Sequence, residues 1–393
     1  MLPRLPPELW NRIITEFLPP QIYDWEHEVV DRGYIRDLKS CSLVSGPWLF
    51  SAQSALFRRI VLDVNYRSDP MEYPTRLAAF LKGSPRLAAH VCSLHATLNV
   101  DIFTLLSNMN LPNLRYLQIS GGFVDLMDEG VPDLVQGVVG WQSIQHLRLT
   151  DMVFSYESLI TILRSTLNLK GLHFFRCATS HDLPTRKPQS LPYLSPPASI
   201  THLSVIRSRS IPKLFTYGGL PLDFSQLTYA NVLGSATREL GEFLNTVRGS
   251  VKWLTFEPED DVEEDTDAYA PFITHEFQSI EPMRFSAATR LTIHVWSAKG
   301  ITDTLPVFSG VGPQNVIEDI VYIVVGHAFP LSKERPKVQA ARFEAEFAAL
   351  PLPMLRRIEI RFSPALDASE QVSIYRGAFP LLNTRELLYF TSY

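Results

Sequence analysis

Residues 114–120 read LRYLQIS, and residues 144–150 read IQHLRLT. Both follow the pattern apolar-x-x-apolar-x-apolar. The same phrase returns as LKGLHFF (169–175), ITHLSVI (200–206), VKWLTFE (251–257), ATRLTIH (288–294), IEDIVYI (317–323) and LRRIEIR (355–361). LAAHVCSLHATL (87–98) and TRELLYF (384–390) read as first and last members, and LTYANVL (227–233) as a further candidate. The fourth positions, Leu117, Leu147, Leu172, Leu203, Leu254, Leu291, Ile320 and Ile358, are spaced by 30, 25, 31, 51, 37, 29 and 38 residues. A unit hidden at 227–233 would split the long interval in two.

Helix-like stretches precede most of these phrases: FTLLSNMN, PDLVQGVVG, SYESLITILRSTL, RELGEFLNTV and KVQAARFEAEFAAL. A helix and a strand recurring at this period mark a repeat protein, because one such unit cannot bury its own apolar face and a stack can. The predicted class is α/β, with parallel strands stacked side by side and crossovers packed outside. A doubly wound α/β domain is the rival, but its strands would be more uniformly apolar and would lack the L-x-x-L-x-L skip.

Strand alternation sends the first, fourth and sixth positions inward and the third and fifth outward, onto the concave face of the predicted solenoid. The third positions include Tyr116, His146, Gly171, His202, Trp253, Arg290 and Arg357. The fifth include Gln118, Arg148, His173, Ser204, Thr255, Thr292 and Glu359. Aromatic and arginine side chains are enriched among interface anchors. Tyr116, Gln118, His146, Arg148, His173, His202, Trp253, Arg290 and Arg357 are therefore the candidate target-binding set. His146, His173 and His202 could approach one another, but no cysteine or carboxylate stands at ligand spacing, so no metal site is expected.

Ahead of the repeats, LPPELWNRIITEFLP (5–19) carries Leu9, Ile13 and Phe17 on one stripe. Pro6 and Pro7 open it as a helix, and Pro19 and Pro20 end it. After a mixed stretch at 21–36, Leu38, Cys41 and Val44 run down one side of a second helix. Gly46-Pro47 breaks the chain, and Trp48, Ala52 and Leu56 recur at helical spacing in a third. Three helices this short cannot bury so many large side chains by themselves, so a partner or the following domain must cover the surplus. LPPEL…II..FLP, then DL..CSLVS..W…A...LFR.I.L, resembles the F-box of fungal F-box proteins, across roughly positions 3–62. The stretch at 21–36 is longer than the usual connector. The repeats resemble the leucine-rich-repeat class, with its consensus asparagine missing and its unit lengths drifting.

The expected organisation is therefore a three-helix F-box at 1–62, with an insertion at 21–36, followed by an irregular leucine-rich-repeat-like recognition domain at 63–393. The resemblance implies docking on a Skp-family adaptor, and through it on a cullin. Carried over position by position, the adaptor contacts would be Leu5, Pro6, Leu9, Ile13, Leu18, Leu38, Leu43, Val44 and Trp48. The implied role is substrate recognition for a ubiquitin ligase, with an unknown protein as target. The alternative is a non-catalytic scaffold whose F-box acts outside a ligase or only caps the repeats.

The remaining observations exclude rather than identify. A net charge of −5 argues against a general nucleic-acid binder. Three scattered cysteines are no disulfide framework and predict a reducing compartment, cytoplasmic or nuclear. MLPRLPPELW lacks the apolar run of a signal peptide, and no stretch approaches the ~20 apolar residues of a membrane span. EPEDDVEEDTD (257–267), acidic at eight of eleven positions, reads as a solvated loop, and the Pro/Ser-rich stretch 176–199 as an insertion. No phosphate loop, dinucleotide fingerprint, H-E-x-x-H or G-x-S-x-G occurs, so no enzyme chemistry and no cofactor are expected.

Overall fold

A computed structural model describes residues 36, 38–40, 46–62, 71–121, 131–139, 141–179, 197–208, 210–217, 220–234, 238–257, 287–295, 301, 304–308, 314–324, 334–362 and 368–392. The chain divides into two compact units, Met1–Leu169 and Lys170–Tyr393. That division falls inside the repeats.

The first unit begins, among the described residues, with helix α1 (Gly46–Phe57), then β1 (Arg59–Leu62), α2 (Glu72–Gly83), β2 (Ser93–Thr97) and α3 (Val100–Ser107). It continues with β3 (Tyr116–Ser120), α4 (Val131–Val139), β4 (His146–Thr150) and α5 (Tyr156–Ser165). The four strands pair in chain order and all in parallel. Ile60, Leu94, Leu117 and Leu147 stand in one row, and Leu62, Ala96, Ile119 and Leu149 in the next. All eight are buried. They form the inner face predicted for the fourth and sixth positions. The sheet also begins one strand earlier than the phrase shows, at RIVL.

Helix starts follow from local chemistry. The Asn99 side chain accepts hydrogen bonds from the Asp101 and Ile102 amides, at 2.9 and 3.2 Å. Ser155 Oγ accepts one from the Ser158 amide at 3.0 Å. Each fills donors that a first helical turn leaves open. Ile102, Phe103 and Leu106 of α3, and Leu159, Ile162 and Leu163 of α5, join the core.

In the second unit the strands are β5 (Gly171–Phe175), β6 (His202–Ile206), β7 (Tyr229–Leu233), β8 (Trp253–Phe256), β9 (Arg290–Val295), β10 (Asp319–Val324), β11 (Arg357–Phe362) and β12 (Leu388–Ser392). They too pair in parallel and in order. Strand β7 establishes LTYANVL as a repeat. Ala230 occupies the inner position between Leu203 and Leu254. In TRELLYF the register falls one residue later than the phrase suggests. Leu388 pairs with Ile358 and Phe390 with Ile360, leaving Tyr389 about half exposed. A one-residue slip exchanges the two faces of a strand.

Two backbone devices repeat with the strands. At each strand start, one carbonyl accepts two successive amides from the next repeat. Arg58 O takes the Cys92 and Ser93 amides, Cys92 O takes Arg115 and Tyr116, and Arg115 O takes Gln145 and His146, all within 3.0 Å. In the second unit the acceptors are Lys170, Thr201, Thr228, Lys252, Thr289 and Glu318. At the strand ends, Asp151, Arg176, Arg207 and Gly234 take φ of 54, 52, 50 and 56°. That left-handed conformation turns the chain out of the sheet where the consensus asparagine is missing. Gly121, at the matching place after β3, cannot be replaced without movement. A Cβ there would lie 1.8 Å from the Asp151 carbonyl oxygen.

Aromatic rings complete the core of the second unit. Phe215 stacks on Phe243 at 4.8 Å, and both meet Phe224 edge to face. Near its end Phe343, Phe347 and Phe379 pack together, and Phe362 meets Tyr375 and Phe390. Helices α6 (Glu334–Ala348) and α7 (Ala368–Ala378) supply several of these rings, and Phe379 precedes helix α8 (Pro380–Thr384). The buried Glu344 of α6 accepts the Leu382 amide at 2.7 Å, filling a donor in the first turn of α8.

Candidate functional site

Parallel pairing in register turns the outward positions into continuous rows. In the first unit one row runs Arg59, Ser93, Tyr116, His146, and its neighbour Val61, His95, Gln118, Arg148. Tyr116 stacks on His146 with ring centroids 4.6 Å apart, and His95 hydrogen-bonds Ser120. His146 and Arg148 are buried, whereas Tyr116 and Gln118 are partly exposed. The Arg59 guanidinium titrates below its ordinary value, first because burial disfavours its charge and then because Arg148 lies close.

The second unit continues the pattern with different chemistry. Its first outward row is Gly171, His202, Tyr229, Trp253, Arg290, Asp319 and Arg357. The second is His173, Ser204, Asn231, Thr255, Thr292, Val321, Glu359 and Tyr389. His202 lies 5.8 Å from the Tyr229 ring, and Tyr229 meets Trp253 edge to face at 6.3 Å. Trp253 is 50% exposed, the most open side chain of the predicted set. His173 is buried. It pairs with Ser204, while His202 pairs with Gly171, so the two histidines occupy different rows. Burial lowers the His202 pKa and favours its neutral ring. Among the described residues no group of three or more His, Cys, Asp or Glu is placed to hold a metal ion.

The far end of this face is ionic. Glu359 accepts from Arg361 Nε at 2.8 Å and from Thr391 Oγ1 at 2.7 Å, and pairs with Arg357 Nη2 at 3.0 Å. Arg357 Nε also faces Asp319 at 3.5 Å. Burial alone would raise the Glu359 carboxyl pKa. The hydrogen bonds from Arg361 and Thr391, with the charges of Arg361 and Arg357, outweigh it and hold the group below its usual value. The neighbouring Arg290 titrates below its ordinary value, through burial first and then repulsion by Arg361, partly offset by Asp319.

The predicted target-binding residues thus all lie on outward strand positions of the two units, with Tyr116, Gln118, His202, Trp253, Arg290 and Arg357 at least partly open to solvent. His146, Arg148 and His173 occupy outward positions too, but are buried. Tyr229, Asn231, Asp319, Arg361 and Tyr389 belong to the outward face and were not in the predicted set, although Asp319 stands at the third position of IEDIVYI. Tyr229 and Asn231 sit in the repeat with alanine at its fourth position. Arg361 occupies a seventh position, which the alternation rule would have flagged.

Of the predicted adaptor contacts, Leu5, Pro6, Leu9, Ile13, Leu18, Leu43 and Val44 lie outside the described residues, as does the side chain of Trp48. Leu38 is 3% exposed and packs against Ala52, Ala55 and Leu56, inside the helical segment rather than on its surface. Helix α1 presents Phe50, 51% exposed, and Leu49, 36% exposed. Phe50 also meets His90 edge to face at 5.0 Å, and Arg86 donates to Gln53 at 3.1 Å.

No protein-family model matches the chain, and no curated protein does. Solved structures similar to it include a Bacteroides fragilis protein, with 12% identity over 83% of this chain and 84% of that one, at a TM-score of 0.37. Another is a TLR13–ssRNA13 complex, with 12% identity over 80% of this chain and 38% of that chain, at a TM-score of 0.35. The leucine-rich-repeat-like character of the fold rests on its own strand order and register. No helix among the described residues is long and apolar enough to cross a membrane.

Proposed function

We propose that the chain is the substrate-recognition subunit of a Skp–cullin–F-box type ubiquitin ligase. The F-box-like segment docks on the adaptor, and the outward sheet face holds a target protein. The observation that carries this reading is the direct junction between the two. A single residue, Arg58, separates helix α1 from strand β1. A helix gripped by an adaptor would therefore orient the repeats with little slack. The protein's own contribution would be proximity, bringing target lysines to a recruited ubiquitin-conjugating enzyme. The exposed Phe50 and Leu49 supply apolar surface on helix α1, as an adaptor-binding segment needs.

The contacts of Phe50 with His90, and of Gln53 with Arg86, favour a second reading, in which the N-terminal helices only cap the first repeat. Co-purification with the Skp-family adaptor separates the two. Replacing Leu43, Val44 and Trp48 together with polar residues abolishes adaptor capture and leaves the repeats folded if the ligase reading holds. Capture that survives the triple change removes the proposed dock. Unfolding of the remainder on deletion of residues 1–57 supports the cap.

A further inference from the structure

The outward face of the second unit is chemically polarised. One end is aromatic and uncharged, with His202, Tyr229 and Trp253 on successive strands. The other holds three guanidiniums, Arg290, Arg357 and Arg361, against two carboxylates, Asp319 and Glu359. Those carboxylates are already engaged. Asp319 faces Arg357, and Glu359 is shared among Arg357, Arg361 and Thr391. The Arg290 guanidinium makes no hydrogen bond or ion pair among the described residues, although it is half-buried between Trp253 and Asp319 in the pairing register. The cluster therefore carries one surplus positive charge, beside the most exposed aromatic ring on the sheet.

We propose that this place seats an anionic side chain of an extended peptide segment, with Arg290 holding the anion and Trp253 covering the residue beside it. The proposal deepens the target-binding role proposed above and rests on that role alone, not on adaptor docking. A guanidinium presents a planar fork of donors that matches carboxylate and phosphate oxygens. Tryptophan and arginine are the side chains that most often anchor a protein interface. Strands stand ~4.8 Å apart, and alternate residues of an extended peptide ~7 Å apart. A segment crossing the row can thus place an apolar side chain on Trp253 and an acidic one near Arg290. In the neighbouring row Asn231 and Thr292, uncharged and partly exposed, offer hydrogen-bonding groups to its backbone. A nucleic acid does not fit this site as well, because a single surplus charge cannot follow a phosphate backbone.

The test pans a random nonapeptide display library against the full chain. Peptides recovered on the wild-type protein are expected to be enriched about tenfold in Asp and Glu next to, or two places from, an aromatic or leucine. Arg290→Gln abolishes the acidic preference, Arg290→Glu turns it toward Lys and Arg, and Trp253→Ala removes the apolar preference. Thermal unfolding checks that each variant remains folded. Synthetic phosphoserine and glutamate versions of a recovered peptide, compared by anisotropy, show which anion binds more tightly. Either preference supports the site. Inorganic phosphate that displaces the peptide at the peptide's own dissociation constant reduces it to an anion site and sinks the peptide proposal. So does acidic enrichment that is absent from the wild type or survives Arg290→Gln, or a single-stranded oligonucleotide that binds more tightly through Arg290. Adaptor capture by the same variants keeps the two ideas apart. Capture without acidic preference overturns this inference only, and acidic preference without capture overturns the ligase reading only.

Discussion

In the first unit the outward row passes from Ser93 to Tyr116 and ends in a Tyr116–His146 stack whose histidine is buried. In the second unit the equivalent row passes through Trp253, half exposed, to an arginine and carboxylate network. The inward rows of the two units differ hardly at all: Leu117 and Leu147 in one, Leu254 and Leu291 in the other, all at most 1% exposed. The same backbone device joins the strands in both. A repeat scaffold thus separates its duties by face. The inner positions are held to one chemistry by burial, and the outer positions are free to diverge.

The largest effects should fall on the shared inner rows. Leu117→Ala in the first unit and Leu291→Ala in the second each remove a fully buried side chain. Each is expected to cost about 2–5 kcal/mol, measured by chemical denaturation. Similar losses support equivalence of the inner rows. A variant costing under ~1 kcal/mol would show that its unit packs loosely and would break the comparison.

The outer rows should respond differently. Glu359→Gln leaves Arg357 and Arg361 without their shared charge, at an expected cost of about 1–3 kcal/mol at neutral pH. The sign follows from the lowered carboxyl pKa. A carboxyl held below its unfolded value stabilises the fold above that unfolded value, and this contribution is lost as pH falls through the folded value. The stability difference between wild type and variant should therefore shrink under acid. A difference that stays constant down to acid pH would mean that Glu359 acts through shape rather than charge.

Smaller still is the contrast between two aromatics on equivalent positions. Tyr116→Ala loses a stacked neighbour and is expected to cost about 1 kcal/mol. Trp253→Ala, at a half-exposed position, should change stability by less than about 0.5 kcal/mol while changing peptide recognition. If Trp253→Ala proves the more destabilising, then Trp253 belongs to the packing and not to a recognition surface.

The inner rows were legible in the sequence because burial restricts them to a few residue types at fixed spacing. Where a small residue filled the place, the signal weakened. Ala230 left LTYANVL only a candidate repeat inside the 51-residue gap between Leu203 and Leu254. The outward positions could be placed by alternation, but not their exposure. Whether Arg148 or Trp253 reaches solvent depends on neighbours contributed by other strands and loops, which one strand's sequence does not carry. The Glu359 network was only half legible. Arg357 and Arg361 flank Glu359 at i−2 and i+2 on its own strand, where alternation alone sets them on one face, but Thr391 reaches it from the next strand, and only the pairing register brings that residue in. The adaptor set is of another kind, since it was drawn from resemblance and only Leu38 among its side chains can be placed.

The strand exits give the only stabilising prediction. Asp151, Arg176, Arg207 and Gly234 share a left-handed backbone and no side-chain chemistry, which is why no motif announced them. For a residue with a Cβ that conformation costs on the order of 1 kcal/mol, a cost glycine avoids. Arg207 is exposed and its amide donates to the Leu233 carbonyl at 2.7 Å, a bond any residue with an amide can keep. Arg207→Gly should therefore raise stability by roughly 0.5–1 kcal/mol, less whatever the freer unfolded chain takes back. Arg207→Val should lower it, since a β-branched residue is a genuine outlier at positive φ. The pair is measured by thermal unfolding. Equal effects from glycine and valine would show that the turn relaxes to another conformation in solution, and that the strand exit is not fixed by its backbone.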